Sequence, residues 1–353
     1  MKKQNKYAVN GALIGGAVFG IKDTVSQLSE MEVNTTQQFD WPRLFLAVGK
    51  GLLLGGAGGF AIGAYTDYKN TLVQPIQTDS HLVRFSDKLK LDKNDPLYIK
   101  LSEKADLLAS LLKSRFGSSI QSVSRLGSTV NGTALKHKFD IDVGVNFRSK
   151  SFNSIDDMYD SVFSFFEGLI GRHSVTRLRR QKKSIGVYIL IGDQEHKIDI
   201  APCKLSKNSR GAGYLRVNDN SLFGRSTITK TNIKTLSSVK LSITQQRITV
   251  FLKKWRDDND LPMGSHLLQN LVLDAYAYAA SIPNGFTAKI VMVLRHISRN
   301  LDVAVIRSKE NSNNVITNIP EVDKARIISA AKEIVEDYDY QPNSILNLLK
   351  KSN

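Results

Sequence analysis

Hydrophobic positions divide the chain into three kinds of pattern. Two apolar, glycine-rich stretches come first, Ala8–Ile21 and Leu44–Tyr65. The second has 22 residues, or about 33 Å as a helix, enough to cross a bilayer core of about 30 Å; the first, at 14 residues, is short for that. After a polar passage, Leu97, Leu101, Ala105, Leu108, Leu111 and Leu112 repeat with the helical period, predicting a helix over Leu97–Phe116 that stops at Gly117. Short strand-like runs follow at Phe139–Phe147, Ile185–Ile191 and Lys197–Ile200. The helical period then returns at Ile243–Trp255, His266–Ala280, Thr287–Arg299 and Val322–Tyr338. Asn311–Asn314 is expected to be a polar loop. A mixed α/β centre flanked by helices is the simplest architecture.

Glycine spacing refines the first pattern. Eleven of the 24 glycines fall in the first 65 residues, and Gly51, Gly55, Gly59 and Gly63 recur every fourth position. That interval puts small residues on one helical face, so that two backbones can approach closely, as in small-xxx-small packing within membranes. Lys2, Lys3 and Lys6 precede the first stretch, and the connection from Lys22 to Arg43 carries Asp23, Glu30, Glu32 and Asp40. By the positive-inside tendency both ends of such a hairpin would be cytoplasmic. Three readings stand side by side: a hairpin inserted in or associated with a membrane through residues 8–65, a glycine-zipper hairpin packed on the rest of the chain, and a cleaved signal peptide, against which no A-x-A-like site follows the first stretch.

Composition adds a sign. The 353 residues carry a formal net charge of +16, which favours polyanionic company: nucleotide phosphates, a nucleic acid or an anionic membrane face. The single cysteine, Cys203, excludes a disulfide framework and any cysteine-rich metal site, and reads as a small packing residue.

Chemistry concentrates between Arg125 and Phe147. Phe139, Ile141, Val143, Val145 and Phe147 alternate with Asp140, Asp142, Gly144 and Asn146, the period of a half-buried strand. Asp140 and Asp142 therefore share its polar face, where two carboxylates repel unless a cation lies between them. Oxygen ligands select Mg2+ or Mn2+. In His196-Lys-Ile-Asp-Ile200, Asp199 turns away from Ile198 and Ile200 and supplies a third acid. Three carboxylates on adjacent strands suit two metal ions, one serving an attacking hydroxyl and one a leaving pyrophosphate. Gly127 and Ser128 open a short helix, where glycine admits a phosphate to the backbone and the serine adds a hydroxyl.

The run Gly-Ser-x3-Gly-Thr, followed by Asp140-Ile-Asp142 and by the Lys197-Ile-Asp-Ile strand, resembles the nucleotidyltransferase core of DNA polymerase β-type enzymes. Within that fold the chain is most similar to the bacterial cGAS/DncV-like nucleotidyltransferases of antiphage signalling, relatives of oligoadenylate synthetase. The resemblance covers about residues 97–340. It includes Gln246–Trp255 and the run Leu261–Leu271, in which Gln269 stands where the family usually has an acid. The fold it implies is α+β: a nucleotidyltransferase core over 79–235 with a mixed sheet and flanking helices, a helical nucleotide-binding subdomain over 236–353, and a glycine-rich helical hairpin over 1–78. It further implies that Asp140, Asp142 and Asp199 ligate two metal ions, that Gly127 and Ser128 bind phosphate, and that Lys253 or Lys254 contacts the donor triphosphate. Arg247 and Lys254 lie seven apart, on one face of their helix.

The activity so implied joins nucleoside triphosphates, ATP among them, into a cyclic or linear oligonucleotide second messenger read by a downstream effector, in the cytoplasm or at the inner face of the cell membrane. The alternative is a toxin-like enzyme that adds nucleotides to RNA or protein. A further basic run, Arg177–Lys183 preceded by Arg172, is open to three uses: an activating nucleic acid, the wall of the nucleotide groove, or an anionic membrane.

Overall fold

The computed structural model describes residues 78–207, 211–218 and 226–350. The glycine-rich stretches at 8–65 lie outside them. Two units divide the chain, Met1–Thr78 with Asp339–Asn343 and Asp79–Tyr338 with Ser344–Asn353, and the second holds the core and the site described below.

A helix over residues 78–89 (α1) is followed by α2 (Pro96–Phe116). Asp95 caps α2 by accepting from the amides of Leu97 and Tyr98, and Pro96 sits in the first turn, where no backbone donor is needed. The helix stops at Gly117, whose φ of +52° suits a residue without a Cβ. Strand β1 (Ile120–Leu126) leads through a single helical turn, α3 (Gly127–Asn131), to β2 (Ile141–Phe147). Then come α4 (Ile155–Glu167), β3 (Val175–Arg180), β4 (Ile185–Ile191), β5 (Gln194–Leu205), β6 (Gly213–Val217) and β7 (Thr227–Thr231).

These strands form one seven-stranded sheet in the order β1-β2-β5-β4-β3, with β6 added to β5 and β7 to β6. Among the described strands only β2 and β5 pair in parallel. The run expected over Lys197–Ile200 is therefore part of a twelve-residue central strand. It tolerates Pro202 because its second edge changes partner there: β4 pairs as far as Ile200 and β6 starts at Cys203. The strand β2 departs from simple alternation, since Gly144 and Asn146 are buried as well. Its outer side is covered near Gly144 by Leu126 and by Ile233 of α5 (Ile233–Ser238), against which a Cβ at position 144 would clash. Three strands of this sheet, β1, β6 and β7, were not anticipated, and β3 only as one use of the basic run, because polar and basic residues break their periodicity.

The inner face of the sheet packs on α2 and α4 through a core that includes Leu101, Leu108, Val143, Phe147, Val162 and Ile200. A second core unites the helices α6 (Ile243–Asp258), α7 (Ser265–Tyr278), α8 (Phe286–Asn300) and α9 (Glu321–Tyr340). Ser242 and Gln245 close a capping box at the start of α6. The expected division near residue 235 falls inside one compact unit and does not fully separate the two cores, since Leu82, Val83 and Phe85 of α1 pack into the helical one. In place of the expected loop at Asn311–Asn314, β8 (Arg307–Ser308) and β9 (Asn311–Val315) form a two-stranded hairpin. Its polar side chains carry no burial pattern to announce it. Among the described residues no helix is long and apolar enough to cross a membrane.

Phe147 anchors one end of the sheet, with the rings of Phe116 and Phe152 edge-on to it at 5.5 and 5.2 Å. Phe147→Ala empties a fully buried site and should cost about 3–5 kcal/mol of stability, measured by urea unfolding. A loss below about 1 kcal/mol would mean that this aromatic cluster is not part of the core.

Candidate active site

Pairing between β2 and β5 sets Asp142 directly across from Asp199, and Ile141 across from Ile198. Asp140 lies one residue before β2, level with the start of this ladder. The three sequence-selected acids are thus brought to one place and line a cleft of about 960 Å³, at the upper end of the usual range for ligand pockets. Burial, then the neighbouring charges of Asp140 and Asp199, pushes the Asp142 carboxyl up to about 7. Burial also raises Asp199, against the pull of Lys197.

Gly127 and Ser128 face these acids. Gly127 has φ +75°, and a Cβ there would overlap the Asp142 carboxylate. Only glycine lets the backbone pass so close to the acid. Ser128 lines the same cleft, and its carbonyl closes the following turn by accepting from the amides of Thr133 and Ala134 at 2.9 and 3.1 Å. The adjacent lysines of α6 separate. Lys253 is 5% exposed, lines the cleft, and donates to the Thr133 carbonyl at 2.8 Å. Desolvation lowers its pKa to about 8, with Arg256 adding to the effect. Lys254 points away from the cleft and pairs with Asp258 on its own helix, and Arg247 is held by Asp87 at 2.8 Å.

Several groups at the site went unread in the sequence. Lys197 stands two residues before Asp199 on the same strand face, and its ammonium lies 2.9 Å from Asp140 and 2.8 Å from Asp199. Burial alone would lower the Lys197 pKa, but hydrogen bonds to Asp199 and Asp140 hold it well above the usual range. The signal was present, because a period of two puts Lys197 and Asp199 side by side. Opposite Asp199 across β4 is Gly186, which leaves room for the Gln181 side chain against that acid. The far wall is built by α7. Asn131 donates to the buried Gln269 at 3.2 Å, and His266 stands 3.6 Å from Glu310 in the β8–β9 turn. His137 and His196 line the cleft as well. Of the basic run, Arg177 stacks on Tyr188 and pairs with Glu195, Arg180 pairs with Asp160, and Lys183 reaches the cleft. Cys203 is buried, and its thiol is pushed up to about 12.

The donors suit a hard divalent cation. Three carboxylates, a set of hard oxygen donors, line the one cleft. Among the described residues they do not close around a common point in the geometry present, since Lys197 draws Asp140 and Asp199 toward itself. Asp140, Asp142 and Asp199 are the residues that would hold Mg2+ or Mn2+.

No protein-family model and no curated protein matches the chain. Solved structures do match in fold. CdnC of E. coli MS115-1, in a complex with HORMA-deltaN, superposes with a TM-score of 0.58 at 15% identity over 78% of this chain and 95% of its own. The CD-NTase CdnG of Bradyrhizobium diazoefficiens, in complex with GTP, gives 0.60 at 11% identity over 76% and 93%. The Cid1 poly(U) polymerase gives 0.50 at 13% identity over 74% and 93%. The chain has the α+β nucleotidyltransferase fold of these proteins and resembles the bacterial CD-NTases.

The raised Asp142 carboxyl makes stability depend on pH. The folded protein takes up a proton that the unfolded chain has lost between about pH 4 and 7, so this contribution is full on the acid side and vanishes as pH rises through 7. Without metal, the melting temperature should fall from pH 5 to pH 8, and Asp142→Asn should flatten that fall. Parallel curves for the two proteins would contradict the burial of a charge at Asp142.

Proposed function

We propose that the protein is a divalent-metal-dependent nucleotidyltransferase that joins nucleoside triphosphates, ATP among them, into a cyclic or linear oligonucleotide second messenger in antiphage signalling. One observation carries the reading: three carboxylates on and beside a parallel strand pair line, together with Gly127 and Ser128, one cleft of nucleotide size. The fold it shares with CD-NTases supports it, among them a CdnE cyclic dinucleotide synthase with GTP and Apcpp.

In the reaction, an acceptor sugar hydroxyl attacks the α-phosphorus of a triphosphate. A new P–O bond forms, the bond to the bridging oxygen breaks, and pyrophosphate leaves with its charge. Bound at the acids, Mg2+ or Mn2+, in two sites on this proposal, lowers the cost of charge on the attacking and leaving oxygens. Gly127 brings the backbone close to the phosphates, and the Ser128 hydroxyl donates to them. Asp199 and Asp142 stand by to accept the hydroxyl proton. Lys253 faces the acids from α6 and offsets part of their charge, whereas Lys254, turned to Asp258, serves the helix. The enzyme works in the cytoplasm, where its triphosphates are, with residues 8–65 as a tether to the inner membrane face. A downstream effector binds the product.

A second reading, addition of nucleotides to RNA, is favoured by the likeness to a poly(U) polymerase. Incubation with four labelled triphosphates and Mg2+ or Mn2+, with and without RNA, separates the two. The messenger reading expects a phosphatase-resistant small product made without RNA; label that appears only on RNA would overturn it.

Asp140→Asn with Asp142→Asn removes two anionic ligands at nearly constant volume and should lower incorporation at least about 1,000-fold, that is about 4 kcal/mol of barrier. Ser128→Ala should cost less, because backbone donors remain. A double variant working at the parental rate would show that the centre is elsewhere.

A further inference from the structure

The ammonium of Lys197 occupies a position in the acid cluster where a cation is expected. It touches Asp140 and Asp199 at once, at 2.9 and 2.8 Å, while their side chains are 36% and 10% exposed. The contact is fixed by the fold. Lys197 and Asp199 project from the same face of β5, and the parallel ladder brings the start of β2 alongside. Both neighbours of Lys197 are acids of the proposed metal centre, so its charge acts on that centre. Lys253, from α6, adds a second positive charge facing Asp140 and Asp142. The cluster therefore presents far less net negative charge than three carboxylates alone.

We propose that Lys197 is an internal counter-ion that makes metal loading depend on nucleotide. Before substrate arrives, the ammonium holds Asp140 and Asp199 together in place and competes with a free divalent ion for them. A triphosphate brings its own negative charge and its own oxygen ligands. The ion then enters with the nucleotide, and the ammonium gives up at least one carboxylate. Lys197 is thus a positioning residue, and the inference rests on the metal-dependent reading above.

The test is direct Mn2+ binding, read from the free-ion signal in electron paramagnetic resonance, on the full chain without nucleotide. Lys197→Met should bind Mn2+ at least tenfold more tightly than the parent, about 1.4 kcal/mol. Lys197→Arg, which keeps the charge, should bind like the parent. In the absence of metal Lys197→Met should melt at a lower temperature, and added Mn2+ should raise its melting point more than the parent's. Equal or weaker Mn2+ binding by Lys197→Met overturns the inference. If that variant does not fold without metal, refolding on addition of Mn2+ supports it and failure of Mn2+ to rescue overturns it. The double variant Asp140→Asn/Asp142→Asn separates the two claims. Placed in the Lys197→Met background, it should abolish the Mn2+ binding that Lys197→Met gains; if that triple variant still binds Mn2+ like Lys197→Met, the metal reading itself falls, and if Lys197→Met gains nothing, only the role of Lys197 falls.

Discussion

The parallel ladder between β2 and β5 is the constraint on which the site depends. It joins segments more than fifty residues apart and sets Asp142 across from Asp199 with no freedom of register. A shift by one residue would turn every side chain of β5 to the other face of the sheet, carrying Asp199 into the core and Ile200 into the cleft. The apolar partners prevent that slip. Ile141, Val143, Val145 and Phe147 on β2, with Ile198 and Ile200 on β5, are buried in the core against α2 and α4. The core thus positions the acids by excluding any register that turns β5 over.

Charges crowded in this way destabilise the fold locally, and the neighbouring residues show how that cost is contained. Unit charges about 4 Å apart interact by about 4 kcal/mol at an effective dielectric of 20, so three bare carboxylates would strain the sheet. Lys197 bridges two of them. The third, Asp142, has its carboxyl pushed up to about 7. Gly127 and Gly186 give way sterically on either side, one to Asp142 and one to the Gln181 that packs on Asp199. Function and stability oppose each other here, as expected where charge must be held ready for a ligand.

Much of this was legible in the sequence wherever one side chain period governed. Alternation around Asp140 and Asp142 revealed β2, and the I-D-I run revealed the face of Asp199. The helical periods placed α2 and α6 to α9 within a few residues. Legibility failed where tertiary partners decide. The strand β3 is written in arginines whose charges are taken up by Glu195, Asp160 and aromatic rings that only the fold brings near. The hairpin β8–β9 has no apolar face to betray it, and Lys253 could not be told from Lys254 until α6 had a fixed rotation. Lys197 was visible as a residue but not as a partner of Asp140, because that contact crosses between strands.

The central claim is that these carboxylates and Gly127–Ser128 form one nucleotide-transfer centre. Its most direct test is a crystal structure with Mn2+ and a non-hydrolysable triphosphate, with the metal located by anomalous scattering. The account predicts manganese peaks bound by Asp140, Asp142 and Asp199, with the triphosphate running from them to Ser128. Manganese or triphosphate bound elsewhere, with these acids left as a lysine-bridged cluster, would contradict it.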